Sequence, residues 1–368
     1  MSSVYYHIHS KRLEKEINTQ FYLELIKTLN PDNFEFNTKK GVLKRDEWLR
    51  IFSDYAIIYE GMYWDNENNK AKEVAYIPRS IDTNWDSFIK VCETFFAKFN
   101  GKKLGVQLSG GLDSGIIIVI LDYLKIPYYT VGLESKRFEF RTENKIQKIL
   151  ARKSVKSVLI NFDSYLPFSR SSSIPKHLYP DIHSINFSTQ NAMADICENL
   201  GIEVLLTGDG GDNLLGESIP ENIKYYPHLF CPEWHREFVY KPKGVELLSF
   251  YANTDLIDNF FNLRRGQSDD NSKHWARMFF SNILPPELSL FDYRADFWGI
   301  YQSGLSNELD EICTIMDKAY KLSHLTQFSI DSWGKLISSN LNNINKENYQ
   351  LIESRIALAL WINSLGLQ

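Results

Sequence analysis

The stretch LSGGLDSG, residues 108–115, begins on the last residue of the apolar run LGVQL (104–108) and precedes IIIVIL. A continuous apolar run of five ending in small residues reads as a buried strand. The apolar segment after it reads as a helix, so the quoted residues form a strand-to-helix turn. Ser109, Gly110 and Gly111 let backbone N–H groups approach an anion without a Cβ in the way. The helix beginning near Leu112 adds the positive end of its dipole. Such a loop fits a pyrophosphate. It is not a Walker loop, since GxxxxGK[ST] is absent, and Asp113 puts a carboxylate where bare phosphates would repel it. A carboxylate beside phosphates makes sense with a divalent cation between them, and magnesium typically takes one or two carboxylates plus phosphate oxygens. By itself the turn equally suits a simple strand-to-helix connection.

Outward from this turn the same alternation repeats. LGVQLS (104–109), PYYTVGL (127–133), SVLINF (157–162) and EVLLTG (203–208) read as strands, separated by helical patterns at 112–124, 142–153 and 188–200. Near-continuous apolar strands alternating with helices predict an α/β fold, a parallel sheet with helices on both faces and ligands beyond the strands' carboxyl ends. Upstream, NWDSFIKVCETFFAKF (84–99) spaces its large apolar residues at three and four, a core-facing helix. Residues 55–64 and 73–78 read as a hairpin across a turn-rich segment. After about residue 240 the strand signal gives way to helical patterns such as DEICTIMDKAYKL (310–322), read as a helical extension of the sheet domain.

A second loop matches the first. TGDGGDNLLGE (207–217) also follows an apolar strand and carries Asp209, Asp212 and four glycines. Asp212 is expected to be the second magnesium ligand with Asp113, and Asp209 a neighbouring acid or base. Composition narrows the classes further. A net charge of −5 argues against a general nucleic-acid binder. No apolar run reaches a membrane span and no signal-peptide core is present, so the expectation is a cytoplasmic protein without membrane association. Cys92, Cys197, Cys231 and Cys313 have no metal-ligand spacing and read as buried thiols.

The pair SGGLDS and GDGGDNLLGE resembles the nucleotide-binding loops of the asparagine synthetase family. The segment GVELLSFYANTDLIDNFF (244–261) resembles a further family motif in the same order, so that the likeness spans about residues 84–300. The resemblance implies a PP-loop ATP pyrophosphatase fold, ATP and Mg2+, and activation of a substrate carboxylate as an acyl-adenylate that an amine then converts to an amide. It implies nucleotide contacts from Gln107, Leu108, Ser109, Gly110, Gly111, Leu112, Asp113 and Ser114, with Val131, Gly132, Thr207 and Gly208 around the adenine. Glu143 falls near an acidic family residue that approaches the nucleotide.

Departures shape the expectation. Family members with glutaminase activity carry a cysteine directly after the initiator methionine, whereas Ser2 follows Met1 here. The chain is therefore expected not to hydrolyse glutamine, with residues 1–82 a reduced glutaminase relic or docking segment and 83–368 the synthetase domain. Relatives without that nucleophile include β-lactam synthetase and lasso-peptide cyclases, which close an amide within one substrate. PELSLFDYRADFWGIYQSG (286–304) resembles their C-terminal stretch and puts Arg294 at the position of a pyrophosphate-contacting lysine. Their tyrosine–glutamate base pair maps onto Asp209 and Glu246.

The favoured expectation is intramolecular macrolactam formation in a peptide, with a precursor peptide or other carboxylate-bearing molecule as substrate. A leader-peptide-binding protein and a protease are the implied partners. Two alternatives stand beside it: amidation with free ammonia, and a non-catalytic PP-loop binding subunit, favoured by Arg294, Asp209 and Leu248 where the family has other residues. A PP-loop enzyme of transfer RNA is disfavoured by the acidic balance. His177 and His183 read more readily as surface or satisfied core residues than as pocket residues.

Overall fold

The computed structural model describes residues 4–7, 12–13, 18–27, 52, 55–58, 61–65, 67–68, 70–137, 140–216, 224–225, 230–265, 273–290, 297–323 and 346–367. By internal contacts the chain divides into two compact units. One comprises residues 1–74, 166–188 and 298–368, the other 75–165 and 189–297.

The first unit opens with β1 (Val4–His7), β2 (Arg12–Leu13), α1 (Thr19–Lys27), β3 (Tyr55–Ile58), β4 (Met62–Asp65) and β5 (Lys70–Glu73). β1 lies between β2 and β3, antiparallel to both, while β4 and β5 form a separate hairpin. The expected hairpin is displaced: Met62–Asp65 pairs with Lys70–Glu73, of which only Glu73 belongs to the expected second arm, while Tyr55–Ile58 pairs with β1 instead and Tyr76 makes an isolated bridge to Tyr225 rather than a strand. The aromatic side chains of this unit explain its cohesion. Tyr5 stands edge-on to Phe21, Phe52 and Tyr55, and its hydroxyl donates to the Leu178 carbonyl at 2.6 Å. A buried tyrosine keeps its polar tip satisfied in this way while its ring fills the core.

The second unit holds the predicted parallel sheet. Its elements are α2 (Trp85–Ala97), β6 (Leu104–Leu108), α3 (Leu112–Tyr123), β7 (Tyr129–Glu134), α4 (Arg141–Leu150), β8 (Lys156–Asn161), α5 (Phe187–Leu200, begun in the first unit), β9 (Val204–Thr207), β10 (Glu246–Ser249), α6 (Thr254–Arg264), α7 (His274–Phe279) and α8 (Pro286–Leu290). The strand order is β10-β9-β6-β7-β8, all parallel. β6, β7 and β8 run outward in one direction. The chain then returns across the sheet to β9 beside β6 and continues outward to β10. With right-handed crossovers, α3 and α4 lie on one face and α5 on the other, so the order reverses between β6 and β9. The loops after those two strands therefore leave the sheet side by side, at the crevice where α/β sheets bind ligands.

Local chemistry sets these elements. Asn84 caps α2 by accepting from the Ser87 N–H at 3.0 Å, and Ser87 returns the bond to the Asn84 N–H at 2.9 Å, a reciprocal capping box. In α3 the run Ile116–Leu121 is buried all round, which explains how so β-branched a segment stays helical. Its propensity cost, a few tenths of a kcal/mol per residue, is small beside ~1.5–3 kcal/mol for each buried side chain. β10 is a strand where the sequence predicts only helices; four residues beginning with a glutamate carry too little pattern to reveal it. Cys92, Cys197 and Cys231 are buried thiols outside any disulfide, and burial pushes the Cys197 thiol up to about 12.

The C-terminal helices α9 (Trp298–Asn307), α10 (Leu309–Ser323) and α11 (Lys346–Ser364) group by contacts with the N-terminal residues in the first unit. α10 packs on α11, and Ile356–Ile362 of α11 are all buried, joined to the aromatic cluster through Trp361 against Tyr22 and Phe52. Among the described residues, no helix is long and apolar enough to cross a membrane.

Candidate active site

The first loop is shaped by its own serines and one glycine. The Ser109 and Ser114 hydroxyls lie 2.9 Å apart, and the Gly111 N–H donates to Ser109 Oγ at 3.2 Å. Gly110 takes φ +84°, and a Cβ there would sit 2.6 Å from the Glu143 carbonyl oxygen. Both the conformation and the space exclude a side chain. α3 then starts with no side-chain cap on its first N–H groups, the arrangement that favours an anion at a helix N-terminus.

The second loop packs directly onto the first. A Cβ on Gly211 would lie 2.5 Å from Asp113 Cγ, so glycine is what lets the two acidic loops touch. Lys273, just ahead of α7, binds them together. Its ammonium donates to Asp113 Oδ1 at 2.5 Å and Oδ2 at 2.8 Å, and pairs with Asp212 Oδ1 at 2.7 Å. The Lys273 side chain is 6% exposed whereas Asp212 is 67% exposed, so the arrangement is buried at the lysine and open at the carboxylate. Lys273 also has φ +56°, a left-handed conformation that a non-glycine residue holds only at a cost. From below, the Tyr251 hydroxyl donates to the Asp113 carbonyl at 2.9 Å. Burial, reinforced by the nearby Asp113 carboxylate, raises the Tyr251 phenol well above its ordinary value and keeps it a neutral donor.

Asp209 is positioned by both ends of its residue. Its carboxylate accepts from Thr207 Oγ1 at 2.9 Å and its carbonyl from Ser249 Oγ at 2.6 Å. Of the other residues the sequence points to, Leu108 and Gly132 are paired across β6 and β7, and Val131 is buried. Leu112, Ser114 and Thr207 are also buried, so most of this set shapes the loops rather than presenting side chains. Gln107 is partly buried, its amide 3.7 Å from Met193 Sδ. Gly208 packs against the Asp113–Ser114 backbone. Glu143 is buried, with its carbonyl against Gly110.

One expected residue does not join this group. Glu246 is the first residue of β10, in register with Val204 at the start of β9. Its carboxylate pairs with Lys102 at 3.1 Å, two residues ahead of β6. That is the amino edge of the sheet, roughly 10 Å of strand from the loops at 3.3 Å per residue. Glu246 is therefore not brought to the loops as a base. Arg294 lies outside the described residues. His177 is fully buried in the other unit, its Nδ1 2.9 Å from the Pro175 carbonyl, and burial lowers its pKa to about 4, so it is a neutral core histidine. His183 donates its backbone N–H to Asp181.

Sequence reasoning missed Lys273, Tyr251 and Gln147. The Gln147 amide donates to the carbonyls of Leu108 at 3.0 Å and Leu133 at 2.8 Å, tying together the carboxyl ends of β6 and β7. Tyr251 carried a usable signal, its place just past a strand's carboxyl end, had β10 been recognised. Lys273 carried none: it stands 160 residues from Asp113 in a polar segment without periodicity.

The two carboxylates meet the donor requirement for magnesium. They converge on one cation-sized position, and among the described residues no group of three or more histidine, cysteine, aspartate or glutamate side chains forms a complete metal cage. The remaining ligands would be phosphate and water oxygens, the usual composition around magnesium bound with a nucleotide.

The asparagine synthase family model matches residues 99–218, a span that contains both loops and the strands before them. No curated protein matches the chain. Among solved structures, the NAD+ synthetase from Burkholderia pseudomallei is similar over 54% of this chain and 88% of that one, at 11% identity and a TM-score of 0.24.

Proposed function

We propose that the chain is an ATP-dependent, AMP-forming amide ligase: it adenylates a substrate carboxylate and joins it to an amine. The observation that carries this reading is the convergence of Asp113 and Asp212, from two glycine-rich loops, at the point where the sheet order reverses. The asparagine synthase match over the same residues supports it.

In this reading the uncapped first turn of α3 and the Gly110 N–H bind the phosphates, the Ser109 and Gly111 N–H groups being turned onto the loop's own serines. The Ser109 and Ser114 hydroxyls hold the loop in the shape that aims them, so that the groups are oriented before charge develops on the leaving pyrophosphate. Asp113 and Asp212 would hold magnesium, which when bound supplies charge neutralisation at the leaving group. Asp209 is the candidate acceptor of the amine's proton, its carboxylate oriented by Thr207. With Glu246 at the other edge of the sheet, Asp209 carries that role without the expected glutamate partner.

The substrate is proposed to be a peptide carrying both carboxylate and amine, so that closure gives a macrolactam; this version rests on the sequence resemblance of residues 286–304. The test is calorimetric titration with α,β-methylene ATP and magnesium. Wild type should bind only with the metal, and Asp113→Asn should abolish binding. Pyrophosphate exchange that depends on a carboxylate-bearing peptide would then identify the adenylated group. A wild type that binds no analogue would remove the ligase reading and favour the non-catalytic subunit.

A further inference from the structure

The ammonium of Lys273 stands at the position between Asp113 and Asp212 that a metal ion would share. Its side chain is almost wholly buried, and lysine is seldom buried unless paired. Its backbone is left-handed and it opens α7 without capping it through its side chain. The residue thus spends conformational strain at this position while giving the helix no side-chain cap. What it does make is the bridge between the two carboxylates.

That bridge has a consequence for metal entry. Magnesium needs oxygen ligands at about 2.0–2.1 Å in near-octahedral order. A divalent ion reaching the carboxylates with Lys273 in place meets a positive charge at contact distance. If Lys273 withdraws first, its ammonium loses both carboxylates inside the protein, and an unpaired buried charge is strongly disfavoured. Both obstacles fall when the ion arrives with a polyanion, because the phosphates offer the ammonium new partners and supply the missing oxygen ligands.

We propose that Lys273 is a resident counter-cation that closes the Asp113–Asp212 pair to a free divalent ion, so that metal is admitted only together with the triphosphate. This rests on the ligase reading of the same site. It makes Lys273 a positioning residue: it holds the two carboxylates at a cation's spacing in the metal-free protein and sets the order in which ligands enter.

The experiment uses the full chain and Mn2+ as probe, with protein-bound ion read by electron paramagnetic resonance without nucleotide. Wild type and Lys273→Arg should leave Mn2+ free, while Lys273→Met should take up one ion per chain at least about tenfold more tightly, the like charge having been removed. Adding Asp113→Asn to Lys273→Met should reverse the gain. Wild type binding free Mn2+ as tightly as Lys273→Met would overturn the proposal. If Lys273→Met does not fold, as judged by circular dichroism, wild type decides alone. Uptake of free Mn2+ that Asp113→Asn removes overturns the proposal, and uptake only with α,β-methylene ATP supports it. Failure of the ligase reading shows separately, as absence of analogue binding with magnesium, because the Mn2+ contrast requires no nucleotide.

Discussion

The two edges of the parallel sheet each carry a lysine paired with acid, and they differ in everything that decides function. At the carboxyl edge Lys273 is 6% exposed and bridges two carboxylates from separate loops. At the amino edge Lys102 and Glu246 are 43% and 47% exposed and meet singly at 3.1 Å. A lysine meets acid at both places. Solvent exposure differs: an exposed pair trades hydration for little gain, whereas the buried one is held by glycines that permit contact, by a tyrosine beneath Asp113 and by a strained lysine backbone. A carboxylate near lysine therefore identifies no site by itself. What sets the carboxyl edge apart is convergence from several elements on one position.

The largest effect expected from breaking the carboxyl edge is that of Asp113→Asn. It removes one proposed metal ligand and one partner of a buried ammonium, so magnesium-dependent analogue binding should weaken by about 100-fold or more, a loss of ~3 kcal/mol. Calorimetry reads this directly, and binding within a few-fold of wild type would separate Asp113 from the nucleotide site. Gly110→Ala comes next. With φ +84° and the Glu143 carbonyl 2.6 Å from the new Cβ, it should destabilise the fold by about 1–3 kcal/mol in urea denaturation and weaken analogue binding. An unchanged urea midpoint would mean that the loop relaxes freely around the added methyl group. Tyr251→Phe removes one donor to the Asp113 carbonyl and leaves the ring in the core. The expected loss is about 1 kcal/mol of stability, with several-fold weaker binding. A stability loss without any binding change would make Tyr251 a core residue only.

The sequence discloses this edge unevenly, for physical reasons. β6, β7 and β9 are legible because strands buried on both faces are continuous apolar runs, and the loops after them are legible because close approach demands glycine. Asp113 and Asp212 can be paired from sequence once both loops are assigned to one edge. β10 escapes because its four residues start with a solvated glutamate, and with it go the true place of Glu246 and the meaning of Tyr251. The strand 55–58 is misassigned to a hairpin because pairing with β1 is a long-range choice that local alternation cannot express. Lys273 is illegible for a stricter reason. Its role exists only through contacts 61 and 160 residues away, made by a side chain whose own segment is polar and aperiodic.

The smallest expected effect tests the comparison from its other side. Glu246→Gln deletes the charge at the amino edge while keeping the side chain's size. Because the Lys102 pair is half-exposed, its loss should change stability by no more than about 0.5–1 kcal/mol, and less at high salt. Because the residue sits at the start of β10, level with Val204 rather than Thr207, analogue binding should be unchanged. The sequence resemblance argues otherwise, since it gives Glu246 the place of a catalytic base, and the two arguments separate cleanly on amide formation. Wild-type turnover in Glu246→Gln would leave Asp209 as the carboxylate for the amine's proton. Turnover reduced by about 100-fold with analogue binding intact would restore Glu246 as a base, and would require that the catalytic arrangement reach the amino edge, which the register of β9 and β10 does not provide.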